Sequence, residues 1–89
     1  MADLQAAFET FTRKQLQTVL LLAQGMSNAQ IANKLYLEER SVRSRIELAC
    51  KRLGLEETDR TALILWAVKH GFVSEEYVIQ WVIEGGPLK

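Results

Sequence analysis

The sequence predicts an all-α fold, and three observations carry this prediction. Thr12 and Gln15 have the spacing of a helix capping box. Ser27 and Gln30 repeat that spacing. Between residues 39 and 53, apolar side chains recur every three or four positions, which marks one face of a helix. No stretch shows the apolar and polar alternation of a strand, and 89 residues supply one hydrophobic core, so we expect a single all-helical unit.

The first helices can be placed from their caps. Residues 1–11 are expected to form a short N-terminal arm or helix. Thr12 opens the first clear helix, which Gly25 ends as a left-handed cap. The second helix starts at Ser27 and runs to about Leu35. A tight turn then leads to the helix at residues 39–53, so the two helices form a helix-turn-helix unit.

The helix at residues 39–53 has two chemically different faces. Its apolar residues are Val42, Ile46, Ala49 and Leu53. The residues expected on the opposite face are Arg40, Arg43, Ser44, Glu47 and Lys51. The apolar face is therefore predicted to pack against the core, and the basic face is predicted to be exposed and able to bind a partner.

The C-terminal part of the chain is strongly apolar. Thr58 or Asp59 can cap a fourth helix that ends before Gly71. That helix contains seven consecutive apolar residues, 62–68, and needs cover on more than one side. A fifth helix is predicted at 74–84. Trp66 and Trp81 could belong to the core, which accounts for one Trp better than for two. Because two helices this apolar exceed what a three-helix core can cover, we expect self-association through the fourth helix, with the fifth either covering the core or joining the interface.

Charge is unevenly distributed along a chain whose formal net charge is zero. Residues 12–53 carry eight basic and three acidic side chains, a net charge of +5. Residues 1–11 carry −2 and residues 54–89 carry −3. A basic centre between acidic ends is typical of a protein with one face turned toward phosphates.

Several motifs occur in an order typical of one family. They are the Thr12 start, LLAQG, SNAQIA, SVR and KRLGL, followed by RTALILWAVKHGFV. Together they make residues 11–73 resemble the helix-turn-helix domain of the LuxR/FixJ/GerE family of bacterial transcription regulators. The resemblance implies a four-helix domain at 12–73, whose second and third helices bind DNA and whose last helix commonly mediates dimerisation. Residues 74–89 are expected to pack on the same domain as an additional C-terminal helix and tail.

The resemblance also implies site residues. Base-reading positions fall on Arg43, Ser44 and Glu47. The expected DNA-backbone contacts are Thr12, Lys14, Asn28, Arg40, Arg45 and Lys51. The apolar C-terminal helices, of which the fifth lies beyond the family motif, supply the expected dimer or partner interface: Leu65, Trp66, Lys69 and Trp81.

The chain departs from the family pattern at several positions. Glu38 and Glu39 stand where the recognition helix usually starts with Ser or Thr, and carboxylates there repel phosphate. Arg45 replaces a frequent His, and Leu63 is larger than the frequent Ala, so the fourth helix is expected to pack or pair differently.

Other kinds of function find little support in the sequence. Cys50 is the single cysteine and is expected to be a buried structural thiol, while His70 has no second His or ligand at metal-binding spacing. We expect no metal, no cofactor, no small-molecule ligand and no enzyme activity. No signal peptide or membrane span is recognisable, so a cytoplasmic protein is expected.

The sequence therefore predicts a sequence-specific regulator of transcription that binds double-stranded DNA. The third helix is expected to read the major groove, and a homodimer would prefer an inverted repeat. Two alternatives remain open. Glu39, Arg43 and Glu47 could form ion pairs on a solvated face. The chain could instead be a protein-interaction module or anti-activator that binds another regulator or RNA polymerase through its apolar C-terminal helices. With no receiver or sensing domain in these residues, activity is expected to follow abundance or a protein partner.

Overall fold

The computed structural model describes residues 4 to 73. Within this range the helices are α1 (Leu4–Thr10), α2 (Arg13–Ala23), α3 (Asn28–Leu35), α4 (Glu39–Arg52) and α5 (Arg60–Lys69). None of residues 4 to 73 lies in a strand, so the predicted all-α class is confirmed. The helix predicted at 74–84, with Trp81, lies outside the described residues.

Both predicted capping boxes are present. The Thr12 hydroxyl accepts a hydrogen bond from the Gln15 backbone N–H at 3.2 Å, and the Gln15 side-chain oxygen accepts one from the Thr12 N–H at 3.1 Å. Ser27 and Gln30 make the same exchange at 3.2 and 2.8 Å. Each box satisfies two backbone donors near a helix start, and this fixes where α2 and α3 begin.

Four helices in the range 4 to 73 are followed by a left-handed residue, which after α5 is Gly71 (φ 77°). Gly25 (φ +84°) follows α2 and Gly54 (φ +78°) follows α4, as predicted. The turn from α3 into α4 uses Tyr36 instead, with φ 57° and ψ 46°. Tyr36 is the one non-glycine residue with positive φ in the part of the chain that the structure describes. A Cβ in this conformation crowds the following carbonyl and costs about 1 kcal/mol, whereas glycine avoids this cost.

Helix α2 lies at the centre of the packing. It contacts both α4 and α5, and its residues Val19, Leu20 and Leu21 are fully buried. Burying one such side chain stabilises the fold by roughly 1.5–3 kcal/mol relative to leaving it in water. The other buried apolar residues are Ala7, Phe11, Leu16, Leu22, Ile31, Ala32, Val42, Ile46, Ala49, Cys50, Leu63, Trp66, Ala67 and Phe72.

Trp66 belongs to this core, which corrects its prediction as an interface residue. Its side chain is 8% exposed. The ring forms a T-shaped pair with Phe11 at a centroid distance of 4.7 Å and stacks on Phe72 at 5.7 Å. Aromatic pairs in such geometries add to the energy of burial. Trp66 therefore links α5 to the residue that follows α1, and little of it is left to contact a partner.

Two side chains of α4 tie distant segments to the core. The Arg52 guanidinium donates a 2.9 Å hydrogen bond to the carbonyl of Thr10, the last residue of α1. The Cys50 thiol is buried and accepts a hydrogen bond from the Asp59 N–H at 3.4 Å. The Asp59 carboxylate in turn caps α5 by accepting from the Ala62 N–H at 3.1 Å. Cys50 is thus a structural thiol, as expected, and it helps to position the start of α5.

Candidate nucleic-acid interface

Helix α4 presents the two faces that its sequence predicts. Val42, Ile46 and Ala49 are buried against the core, while Leu53 is half-buried beside it. The residues expected on the outward face, Arg40, Arg43, Ser44, Glu47 and Lys51, are all exposed. Since the core holds one side of α4 and leaves the other open, the helix is available to a groove or a protein surface.

Helix α3 supports α4 from the side. Ile31 and Ala32 of α3 are buried, and α3 packs against α4. The Leu37 N–H donates to the Ala32 carbonyl at 2.8 Å across the turn. This bond and the left-handed Tyr36 fix the angle between the two helices. The pair has the arrangement in which one helix can cross a DNA backbone while the next enters the groove.

The start of α4 carries an ion pair that competes with a phosphate. Glu38 is the residue before the helix, and its side chain makes no capping hydrogen bond. Its carboxylate instead accepts from the Arg40 guanidinium at 2.8 Å, with both side chains at least 70% exposed. Exposed pairs of this kind are worth under about 1 kcal/mol, so a phosphate could displace Glu38. Arg40 is therefore accessible but partly neutralised.

Arg43 is not paired with its neighbours on the helix. No ion pair joins Arg43 to Glu39 or Glu47 in the range 4 to 73, although both carboxylates lie one turn away. The alternative in which these three residues form a network of ion pairs is therefore absent from the structure. The Arg43 guanidinium keeps its planar set of donors for another partner.

The predicted backbone contacts lie on three helices. Thr12 precedes α2 and Lys14 lies in its first turn, and both are exposed. Asn28 is the half-buried first residue of α3. Arg45 is half-buried and Lys51 is exposed along α4. The Thr12 hydroxyl accepts the capping bond from Gln15 and the Asn28 side-chain oxygen accepts from Arg60, whereas the side chains of Lys14, Arg45 and Lys51 make no hydrogen bond within residues 4 to 73.

Arg60 is a neighbour of this region that the sequence did not reveal. Its guanidinium donates to the Asn28 side-chain oxygen and, at 3.4 Å, to the Met26 carbonyl. Arg60 is the first residue of α5, and 32 positions separate it from Asn28. It therefore brings a positive charge to the start of α3, where a phosphate contact was expected. Only the tertiary fold shows this, because no local pattern links residues so far apart.

Leu48 is a second residue of this region that the sequence analysis did not single out. Its side chain is 49% exposed and follows Ser44 by four residues on the outward side of α4. An apolar side chain at such a position can contact the methyl group of thymine.

Acidic side chains adjoin the outward face of α4 near its C-terminal half. Glu47 lines a shallow depression together with Lys51 and with Glu56 and Glu57 of the loop before α5.

Residues 4 to 73 contain no group of three His, Cys, Asp or Glu side chains placed to hold a metal ion. None of the described helices is long and apolar enough to cross a membrane.

Helix α5 exposes a short apolar stripe. Leu65 is 61% exposed and Val68 is 52% exposed, and Lys69 is exposed beside them. Leu65 and Lys69 remain available as predicted interface residues, whereas Trp66 points into the core.

Comparison with known proteins assigns the chain to a family. The model for bacterial regulatory proteins of the luxR family matches residues 9–67. The chain belongs to this family, and the resemblance inferred from its motifs is confirmed.

Relatives match over the same region. The uncharacterized transcriptional regulatory protein YxjL of Bacillus subtilis is 29% identical over 65 residues, which cover 73% of this chain and 29% of YxjL. The response regulator protein VraR of Staphylococcus aureus is 27% identical over 66 residues, which cover 74% of this chain and 31% of VraR. The chain thus spans about a third of the length of the curated relatives it matches. No solved structure gives a significant match.

Proposed function

We propose that this chain is a regulator of transcription that binds double-stranded DNA in a sequence-specific manner, with α4 in the major groove. The single observation that carries the proposal is the exposed polar face of α4, which is held open by a fully apolar opposite face. Membership of the luxR family and two relatives named as regulators support it.

Three outward residues of α4 are assigned to base reading. Arg43 can donate two parallel hydrogen bonds to guanine, which is the commonest specific contact in the major groove. Glu47 can accept from the amino group of cytosine, and Ser44 can bond to several bases. The absence of an ion pair between Arg43 and Glu47, both described residues, leaves each side chain ready for such a contact.

The remaining contacts position α4 on the duplex. Thr12, Lys14 and Asn28 lie near the starts of α2 and α3, where helix N-termini favour a phosphate. Arg40, Arg45 and Lys51 flank the base-reading residues on α4 and supply positive charge. Arg60 donates to the Asn28 side chain and so places a further positive charge at the start of α3.

We expect the chain to form a homodimer that binds a DNA site with two half-sites. Leu65 and Lys69 offer an exposed patch on α5 for a second copy of the chain. A twofold dimer would hold two α4 helices against half-sites about 10 bp apart on an inverted repeat.

DNA retardation at several salt concentrations tests the proposal. A protein that neutralises several phosphates releases their counterions, so its affinity should fall with a log–log slope of about −0.9 per phosphate. We expect retardation of genomic fragments at low salt and a steep loss as salt rises. No retardation at any salt concentration would contradict the proposal.

A protein-interaction module is the second candidate. The exposed Leu65 and Val68 of α5 and the pairing of Arg40 with Glu38 favour it. Such a module would bind another regulator or RNA polymerase, and a salt-insensitive protein complex without DNA retardation would identify it.

A further inference from the structure

Tyr36 is the exposed residue that the fold explains least. Its side chain is 96% exposed, and its backbone is left-handed. The turn needs a left-handed residue at Tyr36 because the next N–H, that of Leu37, turns back to the Ala32 carbonyl at 2.8 Å. Turns of this kind often contain glycine, which adopts the conformation without steric cost. Neither backbone preference nor burial therefore accounts for an aromatic side chain here, and an unexplained outlier of this type points to a function.

The position of Tyr36 favours DNA over a protein as its partner. One residue, Leu37, separates it from Glu38, the N-cap of α4, so the Cα atoms of Tyr36 and Glu38 lie within about 8 Å of each other. The exposed cations Lys34 and Arg40 stand on either side of it in the chain. The residues directly beside Tyr36, Leu35 and Leu37, are half-buried, so the exposed side chains nearest to it in the chain on either side include these two cations. The Tyr36 ring also has a hydroxyl donor at its tip.

We propose that the Tyr36 hydroxyl donates a hydrogen bond to a phosphate oxygen of the duplex that α4 enters. This inference rests on the function proposed above. Tyrosine hydroxyls are among the groups with which proteins hold the DNA backbone, and bonds to a charged acceptor are stronger than those between neutral groups. Because the hydroxyl is neutral, the contact should release no counterion. It would fix the register of α4 at the end where the helix enters the groove.

Four proteins test the contact: the wild type, Tyr36→Phe, Tyr36→Asn and the control Val73→Asn. Val73 is an exposed apolar residue whose backbone carbonyl accepts a hydrogen bond from the Gln24 side chain. Retardation of a bound fragment should weaken about tenfold for Tyr36→Phe and at least as much for Tyr36→Asn. Val73→Asn should bind like the wild type. The salt slope should be the same for all four proteins, because none of the changes removes a charge.

Thermal unfolding separates binding from folding. Asn accepts the left-handed conformation more readily than Tyr, so Tyr36→Asn should melt at or above the temperature of the wild type. Weaker DNA binding by this variant would then reflect a lost contact and not a damaged fold.

Ethylation of DNA phosphates locates the bond. Ethylating the phosphate that Tyr36 contacts should weaken the wild type but should not further weaken Tyr36→Phe, since the two changes remove the same hydrogen bond. Equal affinity and equal interference patterns for these two proteins would overturn the contact and leave the proposed function standing. A loss with Tyr36→Asn alone would also overturn it, because the ring and not the hydroxyl would then matter. Failure of the wild type to retard DNA would overturn both proposals.

Discussion

Arg43 is the residue on which base recognition depends most directly. Its side chain is exposed on α4, and the core does not constrain it. Arg43→Ala should therefore lose roughly 1–3 kcal/mol of specific binding and relax the preference at one base position, while the fold remains as stable as before. Selection of bound fragments from random DNA measures the preference, and retardation measures the affinity.

Arg43→Lys is the matched control. Lysine keeps the positive charge but cannot make the two parallel bonds of a guanidinium. This variant should keep the salt slope of the wild type and lose discrimination at the same base position. If Arg43→Ala selected the same sequences with the same affinity, Arg43 would have to be removed from the base-reading set.

The start of α4 is the element whose chemistry departs most from the family pattern. Glu38 provides no cap and holds Arg40 at 2.8 Å. Glu38→Ser should free Arg40, remove a charge that repels phosphate and supply a hydroxyl that can cap the helix. We expect tighter DNA binding and a salt slope steeper by about 1, since one more cation can reach a phosphate.

Glu56→Ser makes the same change of charge in the loop before α5. Both substitutions raise the net charge by one. A difference in DNA affinity between the two variants therefore reflects the position of the substitution and not the net charge. Retardation titrations at two salt concentrations should give Glu38→Ser the higher affinity. Equal gains in the two variants would show that Glu38 has no local effect on Arg40.

The elements differ in how far the sequence determines them. Capping boxes at Thr12 and Ser27 and left-handed glycines at Gly25 and Gly54 fix the limits of α2, α3 and α4, because these signals act within one helical turn. The faces of α4 also follow from its apolar spacing. Its contacts to remote segments do not, because the bond from Arg52 to Thr10 joins residues 42 positions apart.

Helix α5 shows where sequence periodicity stops being informative. Residues 62–68 are all apolar, so the spacing gives no face, and the inward and outward positions cannot be told apart. Leu65 and Trp66 were therefore both assigned to an interface, although the structure exposes Leu65 and buries Trp66. Only the aromatic contacts of Trp66 with Phe11 and Phe72 reveal its orientation.

At the scale of the whole molecule, the proposed dimer can be tested at α5. Leu65 is exposed, so Leu65→Lys should leave the core intact while placing like charges opposite each other across a twofold interface. Sedimentation at tens of micromolar should show a dimer for the wild type and a monomer for this variant. The preference for inverted repeats should weaken in parallel.

Thr58→Lys is the control for added charge. Thr58 is exposed in the loop before α5 and was assigned to no interface. This variant should sediment as a dimer. A wild-type chain that is monomeric at the same concentration would exclude the proposed α5 interface.

The central claim is that the exposed face of α4 lies in the major groove of DNA, and methylation interference tests it most directly. Dimethyl sulphate methylates guanine at N7, an acceptor that is presented in the major groove. Bound fragments selected from random DNA should lose binding when particular guanines in each half-site carry this methyl group, and Arg43→Ala should lose that sensitivity at one of them. Binding that is indifferent to methylation at every guanine N7, or no binding at all, would contradict the account.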